Sequence, residues 1–284
     1  MMKDIRIAAV NSHSQVGKTL RNIEGMVQWV RAAKRKGASV VCFPEMNITG
    51  YSTRQEIEDV AKPIPSSVTA SLSEMARTEQ ITILVGMAEK DDKGRIFATH
   101  LVITPDGLSG AYRKLHMAPP EQSVFQSGDE VPLFEVDGIR FGIQLCYDAH
   151  FPELSTLMAL KGADLIFIPH ASPRGTPEQK YRSWMRHLPA RAYDNSVFII
   201  ACNQVGKNGN GLSFPGVAVA LDPAGNVLEK RLSEGEDMLL ADIRADALKR
   251  VRDHKMRFFL PNRRPELLKT LFSESATRPY GVIY

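Results

Sequence analysis

The chain is short of most features that would place it in a special class. Its 284 residues hold three cysteines, an odd number with no CxxC spacing, so neither a disulfide framework nor a cysteine-built zinc site is expected. The start, Met1-Met2-Lys3-Asp4-Ile5-Arg6-Ile7-Ala8, lacks an apolar core of signal-peptide length and a small-residue cleavage site. No apolar run approaches the length of a membrane span; residues 197–202 are strand-sized. These absences point to a cytoplasmic protein without a membrane partner. No Ser/Gly-rich linker or break in composition interrupts the chain, which argues for one domain. Neither sign of charge dominates: 36 Lys and Arg stand against 32 Asp and Glu, for a net charge of +4. A late basic cluster runs through Arg244, Lys249, Arg250, Arg252, Lys255, Arg257, Arg263 and Arg264. It comes without a nucleic-acid module or interleaved aromatics, so it reads as a solvated or subunit-facing surface and not as a nucleic-acid site.

Two tempting motifs also fall short. Residues 12–19 read Ser-His-Ser-Gln-Val-Gly-Lys-Thr after a strand, like a phosphate-binding loop. That loop needs Gly five residues before the Gly-Lys pair, and Ser12 stands there. The seven histidines, at 13, 100, 116, 150, 170, 187 and 254, form no HExxH or other local ligand pair, so no metal is expected.

What is present is ordinary globular material, 43% hydrophobic and 24% charged, arranged in a strand–helix alternation. Residues 5–10, 38–43 and 81–88 read as strands, and 17–36 and 66–78 as helices. The Pro105-Asp106-Gly107 turn joins a hairpin of 96–104 and 109–112. The second half repeats the rhythm. Strands are expected at 139–145, 164–168, 197–202, 217–221, 227–231 and 238–243, with helices at 152–160 and 179–193. Two sheets with helices outside, or a doubly wound single sheet, would accommodate this many elements.

The three cysteines differ in setting. Cys42 in Val40-Val41-Cys42-Phe43 and Cys202 after Phe198-Ile199-Ile200-Ala201 look like small buried hydrophobes. Cys146 instead ends a strand where Tyr147-Asp148-Ala149-His150 turns the chain toward the helix opening at Phe151-Pro152-Glu153. A tight strand-to-helix turn lifts a side chain out of the sheet, and its amides and helix end favour a thiolate and can hold an oxyanion. From the residues alone a packing role stays open beside a reactive one. Glu45 closes the apolar strand ending Phe43-Pro44-Glu45, where groups of open α/β sites sit. Tyr112-Arg113-Lys114-Leu115-His116 ends another strand with two cations, of which Arg113 reads as a surface charge.

These three segments, in this order and spacing, resemble the nitrilase superfamily of carbon–nitrogen hydrolases. Thr49-Gly50-Tyr51, Ala190-Arg191-Ala192-Tyr193-Asp194-Asn195 and Asn203 extend the likeness over residues 5–243. The resemblance implies a four-layer α-β-β-α sandwich over residues 1–256 and a tail, 257–284, at a subunit interface of a homodimer or larger homo-oligomer. It also implies a triad of Glu45, Lys114 and Cys146, with Glu121 of Pro119-Pro120-Glu121 as a second catalytic-site carboxylate. No cofactor is implied.

Cys146 would attack a carbonyl carbon while Glu45 takes the thiol proton and passes it to the leaving amine. Lys114 and the Tyr147 amide would hold the oxyanion. The expected substrate is a small non-peptide amide or N-carbamoyl compound; a nitrile, or a noncatalytic binding scaffold, is the alternative. Several branches of the superfamily carry Arg four residues after the nucleophile, where this chain has His150; this puts an acidic substrate in doubt, while Arg174 could still meet a carboxylate. Tyr51, Tyr147, His150 and His170 are the substrate-binding candidates, with His116, Phe125 and Arg174 further pocket candidates. Because Cys42 and Cys202 are read as packing residues, Cys42→Ala and Cys202→Ala should lower the melting temperature with little change in turnover, measurable by thermal melts beside steady-state rates.

Overall fold

The computed structural model describes residues 3–267. The predicted alternation builds two six-stranded sheets. Strands β1 (Ile5–Asn11), β2 (Val40–Cys42), β3 (Thr82–Lys90), β4 (Ile96–Thr104) and β5 (Gly107–Arg113) form the first. Strands β6 (Phe134–Val136), β7 (Ile139–Ile143), β8 (Leu165–His170) and β9 (Phe198–Asn203) begin the second. A small ribbon, β10 (Gly206–Lys207) with β11 (Ser213–Phe214), precedes β12 (Gly216–Leu221) and β13 (Val227–Ser233), which complete the second sheet. The last strand, β14 (Asp237–Ile243), returns to the first. The orders are β14-β1-β2-β3-β4-β5 and β13-β12-β9-β8-β7-β6. In each sheet three strands run parallel, β1-β2-β3 and β7-β8-β9, with antiparallel neighbours on both sides.

Strand alternation makes the layers. In β1, Ile5, Ile7 and Ala9 join a core that includes Phe141, Ile143 and Phe167 of the second sheet, whereas Ala8 and Val10 join the core beneath helices. Helices α1 (Thr19–Arg35) and α3 (Ser67–Glu79) cover the first sheet through Met26, Val30, Leu72 and Ala76. Between them lies the single-turn α2 (Ile57–Val60). Helices α4 (Pro152–Leu160), α5 (Pro177–Trp184) and α6 (Leu188–Asn195) cover the second through Leu154, Met158, Trp184, Leu188 and Ala192. The result is the four-layer α-β-β-α sandwich, not the doubly wound single sheet. Among the described residues no helix is long and apolar enough to cross a membrane.

The buried stripe of α1 runs Asn22, Met26, Val30, Ala33, while Leu20 is 77% exposed. The helix expected over 179–193 is two helices broken at residues 185–187, because Pro189 sits in the first turn of α6, where its missing N–H costs nothing. The loop resembling a phosphate cradle spends its amides on protein: Val16 donates to the Asn208 carbonyl (3.0 Å) and Gly17 to that of Thr49 (2.9 Å).

Four of the eight residues of the basic cluster, Arg244, Arg250, Arg252 and Arg264, have carboxylate partners among the described residues. On α7 (Ala245–Arg252), Arg250 meets Asp246, and Arg244 lies 3.9 Å from Asp4. Arg252 bonds Asp164 (2.6 Å) and the carbonyls of Ala163 (3.0 Å) and Ser196 (3.3 Å). The start of the expected tail lies on its own subunit: Phe259 packs on Tyr193, ring centroids 5.4 Å apart, and Leu260 against the main core. The remainder of that tail, 268–284, lies outside the described residues. Arg252 ties the C-terminal helix to two loops of the second sheet by a charged pair and two carbonyl bonds. Arg252→Ala should therefore cost about 1–3 kcal/mol of unfolding free energy in urea titrations.

Candidate active site

The parallel strands β2, β7 and β8 end on one side of the sandwich, as strand ends do where open α/β sheets bind ligands. Glu45 lies just past β2 and is fully buried. One carboxylate oxygen accepts from the Ala171 amide, just past β8, at 2.9 Å; the other accepts from Lys114 Nζ at 2.8 Å. Lys114, the first residue after β5 and also fully buried, donates at 2.8 Å to Glu121 as well. Glu121 is in turn held by the Tyr51 hydroxyl (2.9 Å) and the Ala118 amide (2.8 Å). Gly86 of β3 makes room for the Glu45 turn: a Cβ there would stand 2.3 Å from the Met46 nitrogen.

Cys146 opens a 3-10 turn after β7, with a left-handed φ of 47° that a non-glycine residue adopts only when its surroundings impose it. Asp148 imposes it. Its buried carboxylate accepts from the Leu145 amide (2.9 Å), the Tyr112 hydroxyl (2.8 Å) and the His116 amide (2.9 Å), and bonds the His116 ring (2.8 Å). This clamp ties the cysteine turn to the end of β5, which carries Lys114. His116, expected near substrate, is therefore a brace, its ring stacked 3.7 Å from that of Phe151. Phe125, also a pocket candidate, is buried in a separate apolar cluster. Arg113 pairs with Glu89, away from the pocket. Cys42 and Cys202 meet between the sheets, the Cys202 sulfur 3.8 Å from the Cys42 carbonyl oxygen, and both are buried.

Burial and neighbouring charge set the protonation of the site. Burial, opposed by Lys114 and reinforced by Glu121, pushes the Glu45 carboxyl up to about 7. Burial would lower the Lys114 ammonium, but Glu45 and Glu121 overcome it and hold it above its ordinary value. The Cys146 thiol is pushed up by burial and by Glu45 more than Lys114 lowers it. The thiolate expected from the turn alone is disfavoured: burial first, then the carboxyl groups near the sulfur, outweigh one ammonium and the local amide. The free thiol keeps its proton, so a base must remove it during attack.

Cys146 opens onto a cavity of about 400 Å³. Tyr51, Tyr147, His150, His170 and Arg174 all line it, as the sequence led us to expect. Lys180, Trp184 and His187 line it too and were not foreseen. Their spacing, i, i+4 and i+7, was the available signal, since it places them on one face of the expected helix. His170 stacks on Trp184 (ring centroids 4.0 Å) and His150 lies 4.5 Å from His187. Among the described residues no group of three or more His, Cys, Asp or Glu is arranged to hold a metal ion.

Fold and pocket together define a hydrolase of the four-layer sandwich class. The chain matches the family described as carbon-nitrogen hydrolase over residues 6–253, and it belongs to that family. It is 30% identical over 266 residues to a nitrilase of Pyrococcus abyssi, covering 92% of this chain and 98% of the relative. It is 30% identical over 241 residues to an omega-amidase of Mus musculus, covering 81% and 86%. Among solved structures, the amidase from Nesterenkonia sp. AN1, with an acetamide moiety added covalently at its active-site cysteine, superposes with a TM-score of 0.82 at 23% identity, covering 94% of this chain and 97% of that one.

Gly86→Ala should displace the Glu45 turn. We expect at least about a 10-fold loss of turnover together with a fall of several degrees in melting temperature, read by ammonia release and thermal melts.

Proposed function

We propose that the chain hydrolyses a small non-peptide amide or N-carbamoyl compound through a thioester on Cys146. The observation that carries this is the buried Lys114 ammonium, 2.8 Å from both Glu45 and Glu121, with Glu121 and a partly exposed Cys146 lining one cavity. Cys146 attacks the carbonyl carbon as Glu45 takes the thiol proton. Glu45 then delivers that proton to the leaving nitrogen, and later deprotonates the water that cleaves the thioester. A carboxyl titrating near neutrality suits a group that must both accept and return a proton. Lys114 and the Tyr147 amide hold the oxyanion, and Glu121, braced by Tyr51, keeps Lys114 in place. A cavity of about 400 Å³ suits a small molecule. An (R)-stereoselective amidase of Pseudomonas sp., 29% identical over 226 residues, supports the amide reading.

The nitrilase relative supports a second reading, a nitrile converted to acid and ammonia. Rates of acid formation from matched amide and nitrile pairs separate the two.

Ammonia release should disappear in Cys146→Ala while the melting curve is retained; undiminished turnover there would overturn the assignment. The pH profile of kcat/KM gives an independent check. Glu45 accepts the thiol proton only when ionised, so activity should be low in acid and rise with pH through a midpoint near 7.

A further inference from the structure

At the reactive end of the pocket the buried charges are matched: Lys114 has two carboxylates, and Glu121 has a lysine, a tyrosine and an amide. Another part of the lining is different. Lys180 of α5, half-buried, lines the same cavity. Its ammonium donates to the Ser172 hydroxyl (2.7 Å) and to the Pro173 carbonyl (2.9 Å). Both acceptors are neutral, a third N–H direction is left over, and no described carboxylate lies within 4.0 Å. Other cations nearby are treated otherwise: Arg182, two residues on, pairs with Glu178. A half-buried cation without a counter-ion is costly unless something else supplies the charge.

A second group at this wall is also unsatisfied. His170 is 3% exposed, lines the cavity and stacks on Trp184, yet neither ring nitrogen has a partner among the described residues. Burial first, then His187 and Lys180, hold it well below the usual histidine range. Burial likewise lowers His150, and lowers His187 to about 4. Near neutrality these imidazoles carry no charge. The positive charge of the wall therefore belongs to Lys180 and to Arg174 at the exposed rim.

Building on the amide-hydrolysis reading above, we propose that Lys180, with the N–H of neutral His170, binds a carboxylate borne on the acyl portion of the substrate, which makes the substrate class monoamides of short dicarboxylic acids. Lys180 supplies the counter-charge from α5, in place of an arginine at the position of His150. The two parts of the lining then orient the molecule. At Cys146 two acidic side chains, Glu45 and Glu121, share a single Lys114, so a substrate carboxylate is disfavoured there and the neutral amide is left to meet the sulfur. Anchor and base also share a segment. Ser172 and Pro173, which hold Lys180, directly follow Ala171, whose amide holds Glu45. This reverses the sequence-level expectation that His150 disfavours an acidic substrate.

The test compares succinamate and glutaramate with their uncharged isosteres, 4-methylpentanamide and 5-methylhexanamide. In the wild type kcat/KM should favour the carboxylates by at least about 30-fold, because a site built around a charged donor rejects a ligand that leaves it unpaired. In Lys180→Met this ratio should collapse toward one, mainly through a raised KM for the carboxylates, and Lys180→Arg should restore part of it. If Lys180 only staples the Ser172–Pro173 loop, both substrates fall together and the ratio stays as in the wild type, which overturns the proposal. So does a wild type that handles the isosteres equally well. Calorimetric binding of glutaramate to Cys146→Ala, with and without Lys180→Met, needs no turnover. Lys180-dependent binding in a protein whose wild type hydrolyses no amide upholds the carboxylate site and removes the amidase reading. Binding that ignores Lys180 removes the carboxylate site whatever the wild type hydrolyses.

Discussion

The Lys114 ammonium, buried between Glu45 and Glu121, is the interaction on which the rest of the molecule depends. Three charged groups at most 3% exposed are tolerated only while they satisfy one another. Removing any one partner of such a cluster costs roughly 3–5 kcal/mol, because it leaves a bare charge in a poor solvent. The cluster is therefore also a positional constraint. It requires the ends of β2 and β5 and the turn carrying Glu121 to converge within hydrogen-bond distance. The Ala171 amide adds β8, and the Tyr51 hydroxyl adds the loop after β2. The two sheets bring rigid strand ends to one side, which is what lets a few ångström-scale bonds be met together.

The same cluster decides the state of the cysteine. Burial is the largest influence raising the thiol, and Glu45 raises it further than Lys114 lowers it. With two carboxylates nearby and little solvent, the balance favours the thiol. In the reaction we propose, the thiol proton leaves only during attack, and Glu45, raised to about 7, is the group that would receive it. Asp148 makes the geometry durable by holding the strained Cys146 turn to Tyr112 and His116, on the strand end that carries Lys114. Nucleophile and ammonium are thus fixed through one buried carboxylate that itself stays away from the cavity.

Much of this was legible from residues in order. The strands follow from apolar alternation. The ends of α1 and α4 follow from Gly37 and Pro152. The three site segments followed from motif residues at strand ends. Other parts were not legible, for physical reasons. Period-2 and period-3.6 patterns say that a face is buried, not against what, so periodicity left one sheet and two sheets open and only the family resemblance favoured two. His116 and Phe125 resembled pocket residues because a loop aromatic near a motif looks alike whether it faces a cavity or a neighbour. Lys180, Trp184 and His187 passed unnoticed because none belongs to a motif: the first two lie in α5, His187 caps the start of α6, and only the folded chain brings them to one cavity.

Local chemistry determined by itself which residue types could act: a thiol at a strand-to-helix turn, a carboxylate and an ammonium at strand ends, and two further cysteines embedded in apolar strands. These are properties of neighbours along the chain, set by backbone geometry and side-chain solubility. Tertiary structure alone decided the protonation of the thiol, the near-neutral carboxyl of Glu45, and the pairing of one lysine with two glutamates while another faces the cavity without one. Charge interactions depend on distance and on the exclusion of water, and both arise only when segments far apart in sequence are packed together.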